Sequence, residues 1–139
     1  MKKEFEFIDH TADIGVIAYG SDMKQVFASA ARGLFSLITA LDKVALIESH
    51  AIRVTAPDRE ALLVNWLNEL IYLFEVKSLL LTRFDITMIT DVRLEAVAYG
   101  EKVRLAKHEL KTQVKAATYH MLKIEQNKDG WQAQVIFDV

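Results

Sequence analysis

DREALLVNWLNELIYLFEVK, residues 58–77, decides how the chain folds. Leu62, Leu63, Trp66, Leu67, Leu70, Ile71, Leu73 and Phe74 recur at i, i+3 and i+4, the spacing that gathers side chains on one face of an α-helix. Pro57-Asp58 stops what precedes, and Asp58 is a good N-cap because its carboxylate can accept from the free N–H groups of a first turn. The apolar stripe is wide enough for a helix at the centre of a core. A helix over Arg59–Lys77 with that much apolar surface needs partners, and the flanking sequence must supply them.

Upstream, Val26, Phe27, Ala30, Leu34, Leu37, Ile38 and Leu41 recur at helical spacing, predicting a second helix over about 22–41. Asp22 followed three residues later by Gln25 resembles a capping box at its start. Before it, Phe5 and Phe7, then Ile14, Val16 and Ala18, alternate as two short strands around a turn at 9–13. Ile52 and Val54 alternate with polar neighbours inside a strand over 47–56. Downstream, strand patterns cover 84–89, 94–99, 118–126 and 131–138, and Asn127-Lys128-Asp129-Gly130 makes the last two a hairpin, Asp-Gly supporting the positive φ of tight hairpin turns. Residues 101–115 read as a loop leading into a strand. The fold class expected is α+β, two main helices packed on a largely antiparallel sheet, in one domain over 1–139.

The bulk numbers agree. With 139 residues the chain is long enough to bury roughly two thirds of its unfolded surface. A hydrophobic content of 52% against 26% charged residues excludes an intrinsically disordered chain. The absence of cysteine excludes disulfides, thiolate metal sites and a thiol nucleophile, and it is compatible with the cytoplasm. The N-terminus shows no apolar segment of signal-peptide type. The most apolar stretch, 61–81, is interrupted by Asn65, Asn68, Glu69, Glu75 and Lys77, so no membrane span is expected. A net charge of −2 disfavours autonomous nucleic-acid binding.

Catalytic signatures are missing. The five glycines form neither a P-loop nor a dinucleotide fingerprint, no helix-borne histidine pair suits zinc, and no serine sits in a nucleophile elbow. Three features remain. Asp9, His10 and Asp13 are either turn chemistry or the first half of a binding site. Asp138, at the end of an apolar strand, and Val139, where the sequence ends, bring a side-chain and a terminal carboxylate within two residues. That pair is either a solvated terminus or part of an oxygen shell for a hard cation. The third feature is EKVRLAKHELKTQVK, 101–115, where Lys102, Arg104, Lys107, Lys111 and Lys115 outnumber Glu101 and Glu109. It suits an ordinary solvated surface, an acidic partner or RNA phosphates. Lys115, between Val114 and Ala116, is expected to snorkel from the core edge or to be held by a carboxylate.

DHTADIG (9–15), DREALLVNWLNELIYLFE (58–75), VKAATYHMLKI (114–124) and the ending VIFDV (135–139) together closely resemble the archease family, in order and across essentially the whole chain. The resemblance implies an α+β fold and a cytoplasmic protein that is not itself an enzyme. It implies a cofactor of the GTP-dependent RNA-splicing ligase that promotes guanylylation of the ligase's active-site histidine and multiple turnover. A chaperone-like role toward a tRNA methyltransferase is also ascribed to the family, with any RNA contact weak or indirect. The family's metal site maps onto Asp13, Asp138 and Val139, with Ca²⁺ the expected divalent cation. Its functional lysine maps onto Lys115, while Asp9 and His10 take supporting places. In one departure, Gly100-Glu101 is followed by Lys102-Val103-Arg104, where the family commonly has an aspartate. A small metal-dependent phosphoryl-transfer enzyme using Asp13 and Asp138 directly is the competing class; it needs further oxygen ligands and a nucleophile that the sequence does not display.

Overall fold

A computed structural model of the chain describes residues 3–139, apart from Thr11 and the side chain of His10. Two antiparallel sheets share one core. The larger contains β1 (Phe5–His10), β2 (Asp13–Gly20), β6 (Ala116–Ala117), β7 (Lys123–Asn127) and β8 (Gly130–Asp138). Its order is β1-β2-β8-β6, with β7 also paired to β8. The smaller sheet has the order β3-β5-β4, from β3 (Glu48–Thr55), β4 (Leu79–Ile89) and β5 (Arg93–Lys102).

Helices α1 (Met23–Ile38) and α2 (Arg59–Lys77) tie the sheets together. α1 packs on β2 of one sheet and β4 of the other; α2 reaches β3, β4 and β5 as well as β6. Both start as the sequence predicts, with Asp22 and Asp58 accepting from the backbone N–H of Gln25 and Ala61, each at 2.8 Å. The reciprocal arm of the capping box is displaced by one residue. Gln25 Oε1 accepts from the backbone N–H and the hydroxyl of Ser21, at 2.6 and 2.8 Å, rather than from Asp22.

α2 is central, as its wide stripe requires. Ala61, Leu62, Leu63, Val64, Trp66, Leu67, Leu70 and Ile71 are all buried. Trp66 donates through Nε1 to the carbonyl of Phe27 at 3.0 Å, joining the helices, and its ring meets Phe84 edge-on at 5.9 Å. α1 is shorter than expected. It ends at Ile38, Thr39 closes it in an extended conformation, and Leu41–Lys43 form a separate 3₁₀ turn. The helix end is completed by residues 109–112: Lys111 and Thr112 N–H donate to the carbonyls of Ile38 and Leu37, while Thr39 Oγ1 donates to the Glu109 carbonyl at 2.7 Å.

Two strand boundaries and one turn stand out against the sequence pattern. β4 begins at Leu79, directly after α2, because Ser78 adopts a left-handed conformation (φ 57°) and turns the chain in a single residue. The expected strand over 118–126 is broken: β6 and β7 flank residues 118–122, where Met121 has φ 54°. The final hairpin is present, but its positive φ falls on Gly130 alone, at 130°, with Asn127 Oδ1 accepting from Asp129 N–H at 2.9 Å. Glycine is required there twice over, since a Cβ would also stand 2.6 Å from the carbonyl oxygen of Gly20.

Candidate functional site

Three strands begin or finish at one end of the larger sheet. β2 starts at Asp13, β8 finishes at Asp138, and β6 starts at Ala116. The register sets Asp13 directly opposite Asp138, and Asp138 directly opposite Ala116 on its other side. Directly opposed residues of an antiparallel pair share a face, with Cβ atoms about 4.5–5.5 Å apart. Two carboxylates from opposite ends of the chain therefore project side by side, Asp13 half-buried and Asp138 exposed. Like charges so placed oppose strand pairing, typically by a few tenths to about 1 kcal/mol. Val139 follows at the exposed rim.

Lys115 joins this edge through its backbone, donating N–H to the Asp138 carbonyl at 2.8 Å. Its side chain is exposed, neither laid along the core nor ion-paired to a described carboxylate. Residue 115 is positioned from α2. Asn68 Oδ1 accepts from Ala117 N–H at 2.8 Å, and Asn68 Nδ2 donates to the Ala117 carbonyl at 3.4 Å. This amide clamps the two-residue β6 along the edge that β8 leaves open, so the most legible helix in the sequence fixes where Lys115 sits. Asn68 was visible in the sequence only as an interruption of an apolar stretch.

Asp9 opposes Ile14, so it faces away from Asp13. His10 pairs with Asp13 through the backbone register, but its side chain and Thr11 lie outside the described residues. Among the described residues no group of three or more histidine, aspartate or glutamate side chains is arranged to hold a metal ion. The groups that the family resemblance assigns to a cation, the Asp13 and Asp138 carboxylates and the oxygens of Val139, are all hard oxygens, and the register opposes the first two. That chemistry fits Ca²⁺ or Mg²⁺ completed by carbonyls and water, and it does not fit a soft metal.

Residues 101–115 contain a buried charged group that the sequence pattern does not reveal. Glu101 is 1% exposed. Its Oε2 accepts from Ala45 N–H at 2.7 Å, Lys107 Nζ at 2.6 Å and His108 Nε2 at 2.9 Å, and Arg104 stands 3.5 Å from Oε1. His108 is buried as well, and its Nδ1 accepts from Arg104 N–H at 3.0 Å. A neutral imidazole with its proton on Nε2 satisfies both contacts. Two of the five basic residues of this stretch are thus engaged with Glu101, which weakens the reading of 101–115 as a free phosphate grip.

The Ala45 N–H, then Lys107 and His108, hold the Glu101 carboxyl down to about 2, against the opposing effect of burial. A carboxylate with a depressed folded pKa adds stability in full above its unfolded value near 4.5, and that contribution disappears as pH falls toward about 2. Urea unfolding of wild type and Glu101→Gln is expected to differ at neutral pH and to converge as pH approaches 2. A difference that stayed constant from pH 7 to pH 2 would contradict this role.

A compact α+β domain with two carboxylates opposed at one end of a sheet is the class that fold and site define. The model of the Archease protein family (MTH1598/TM1083) matches residues 5–139. Protein archease of Methanosarcina acetivorans is 40% identical, over 99% of this chain and 97% of that protein. Protein archease of Pyrococcus abyssi is 39% identical over 99% of both. Among solved structures, protein 1598 of Methanobacterium thermoautotrophicum superposes with a TM-score of 0.85 at 35% identity, covering 98% of this chain and 99% of its own. The Thermotoga maritima archease, described as a possible chaperone, superposes at 0.68 and 27% identity, covering 100% and 98%. The chain belongs to the archease family.

Proposed function

We propose that this chain is a metal-binding accessory protein, not itself an enzyme, that acts in the cytoplasm on the GTP-dependent RNA-splicing ligase. It promotes guanylylation of the ligase and so allows multiple turnover. The observation that carries this reading is the register opposition of Asp13 and Asp138, with Lys115 bonded to the strand that bears Asp138. Asp13, Asp138 and Val139 would hold a divalent cation, most simply Ca²⁺. Bound there, the cation supplies the largest local positive charge, able to order nucleotide phosphates or carboxylates of the ligase. Lys115 adds a compact exposed ammonium beside it. Family membership supports the reading; metal-dependent turnover of a nucleotide or RNA end by the isolated chain would favour the phosphoryl-transfer alternative instead. A chaperone-like action on a tRNA methyltransferase is the second reading, favoured by the description of the Thermotoga relative as a possible chaperone.

The test is a reaction of ligase, GTP and metal in which covalent guanylylation is counted with wild type or with Asp138→Ala. The wild type is expected to raise the guanylylated fraction well above ligase alone, and the variant to return it near that baseline. Full stimulation by Asp138→Ala would refute the site's role.

A further inference from the structure

α2 reaches the carboxylate edge through one polar side chain. Asn68 is half-buried, and its amide meets Ala117, the second of the two residues of β6. A strand that short makes little ladder of its own. Lys115 N–H ties it to the Asp138 carbonyl at 2.8 Å, and the N–H and hydroxyl of Thr118 both donate to the Ile136 carbonyl, at 3.1 and 2.8 Å. Successive residues of an antiparallel strand turn their backbone groups to opposite sides. Thr118 turns to β8, so Ala117, just before it, turns its N–H and carbonyl toward α2. Ala117 is buried, and Asn68 serves both groups, Oδ1 accepting at 2.8 Å and Nδ2 donating at 3.4 Å. A primary amide carries the acceptor and the donor that a further strand would present there. Aspartate of the same size lacks the donor, and leucine lacks both.

We propose that Asn68 is a positioning residue for Lys115, and that stimulation of the ligase depends on Asn68 through that lysine while cation binding does not. The course of the chain into β6 supports this. Val114 is anchored in the core and Ala117 on Asn68, so only Lys115 and Ala116 stand between two fixed points. Ala116 opposes Asp138, which sets Lys115 at the end of the carboxylate row. Without the amide, two buried backbone groups lose their partner, a costly state that the chain relieves by moving toward water. Lys115 moves with it. Asp13 and Asp138 stay in place, because their opposition is set by the β2–β8 ladder from Asp13 to Gly20, on the side of β8 away from β6. Resting on the function proposed above, this gives the edge two separable halves, a carboxylate pair fixed by β2 and β8 and a lysine fixed from α2.

The experiment counts ligase guanylylation at saturating concentrations of wild type, Asn68→Ala, Asn68→Asp, Lys115→Ala and the double variant Asn68→Ala/Lys115→Ala. Melting curves in calcium and in chelator, and amide exchange at Ala117, are recorded for each chain. Asn68→Ala is expected to lower stimulation about tenfold, as Lys115→Ala does, and the double variant to go no lower, because two residues acting through one group are not additive. Asn68→Asp keeps the side-chain size and the acceptor for Ala117 N–H; it should lose about threefold, and it serves if alanine loosens the fold. Exchange at Ala117 should quicken in Asn68→Ala and stay slow in Lys115→Ala, and both should shift with calcium as wild type does. Wild-type stimulation by both Asn68 variants would overturn the positioning role and leave the proposed function standing. A double variant far below Lys115→Ala would overturn it too, by giving Asn68 a route that bypasses the lysine, as would a calcium shift lost in Asn68→Ala alone. Full stimulation by Lys115→Ala would remove the residue that Asn68 is held to position. A wild-type chain that does not stimulate the ligase would overturn the proposed function and this role with it.

Discussion

Trp66→Ala is expected to remove about 3–5 kcal/mol of stability, a large part of the 5–15 kcal/mol that holds a typical domain folded. The indole is fully buried in the middle of α2. It lies against Phe84, whose ring in turn stacks on Phe35 of α1 at 6.0 Å, so one side chain joins both helices to the smaller sheet. Truncation leaves a cavity among groups held by two helices and a strand, none of which can close in without disturbing the others. It also deletes the hydrogen bond from Nε1 to the Phe27 carbonyl. Trp66→Phe keeps most of the ring volume and should lose substantially less. Urea-unfolding midpoints of the two variants measure both effects, and a cost below about 1 kcal/mol for Trp66→Ala would place the core elsewhere.

The legibility of α2 and the illegibility of its neighbours have physical reasons. Helical periodicity and an Asp58 cap are local signals, and both survive folding unchanged. β4 hid its first residues because Leu79, Leu80 and Leu81 form a continuous apolar run, in which helix and buried strand look alike. Ser78, which separates them, carries no glycine or proline signal. The break between β6 and β7 was equally silent, since a methionine with positive φ leaves no trace in composition. At the candidate site, Asp13 alone reads as a turn residue and Asp138 alone as the end of a strand. Only the pairing of β2 with β8 makes them neighbours, and register between strands so far apart in the chain is not a local property. Family resemblance had pointed to the same pair, without geometry. Glu101 was missed outright, because a carboxylate among lysines looks solvated; the donors that bury it include Ala45 N–H, from a segment far upstream.

The second large effect expected, if the proposed site holds calcium, is a calcium-dependent stability that depends on Asp13 and Asp138. A ligand bound only by the folded state stabilises it by about 2.7 kcal/mol when present at a hundred times its dissociation constant. Wild type should gain that much on adding calcium. Asp13→Asn and Asp138→Asn should lose nearly all of the gain, since each removes one of the two side-chain anions on the shared face. In chelator the order changes: Asp138→Asn relieves the charge opposed to Asp13 and should be no less stable than wild type. Melting curves of the isolated chain and these two variants, in calcium and in chelator, therefore test most directly whether the ends of β2 and β8 hold a cation. The expected result is a calcium-dependent rise confined to wild type. An equal rise in wild type and Asp138→Asn, or none in wild type, would contradict it.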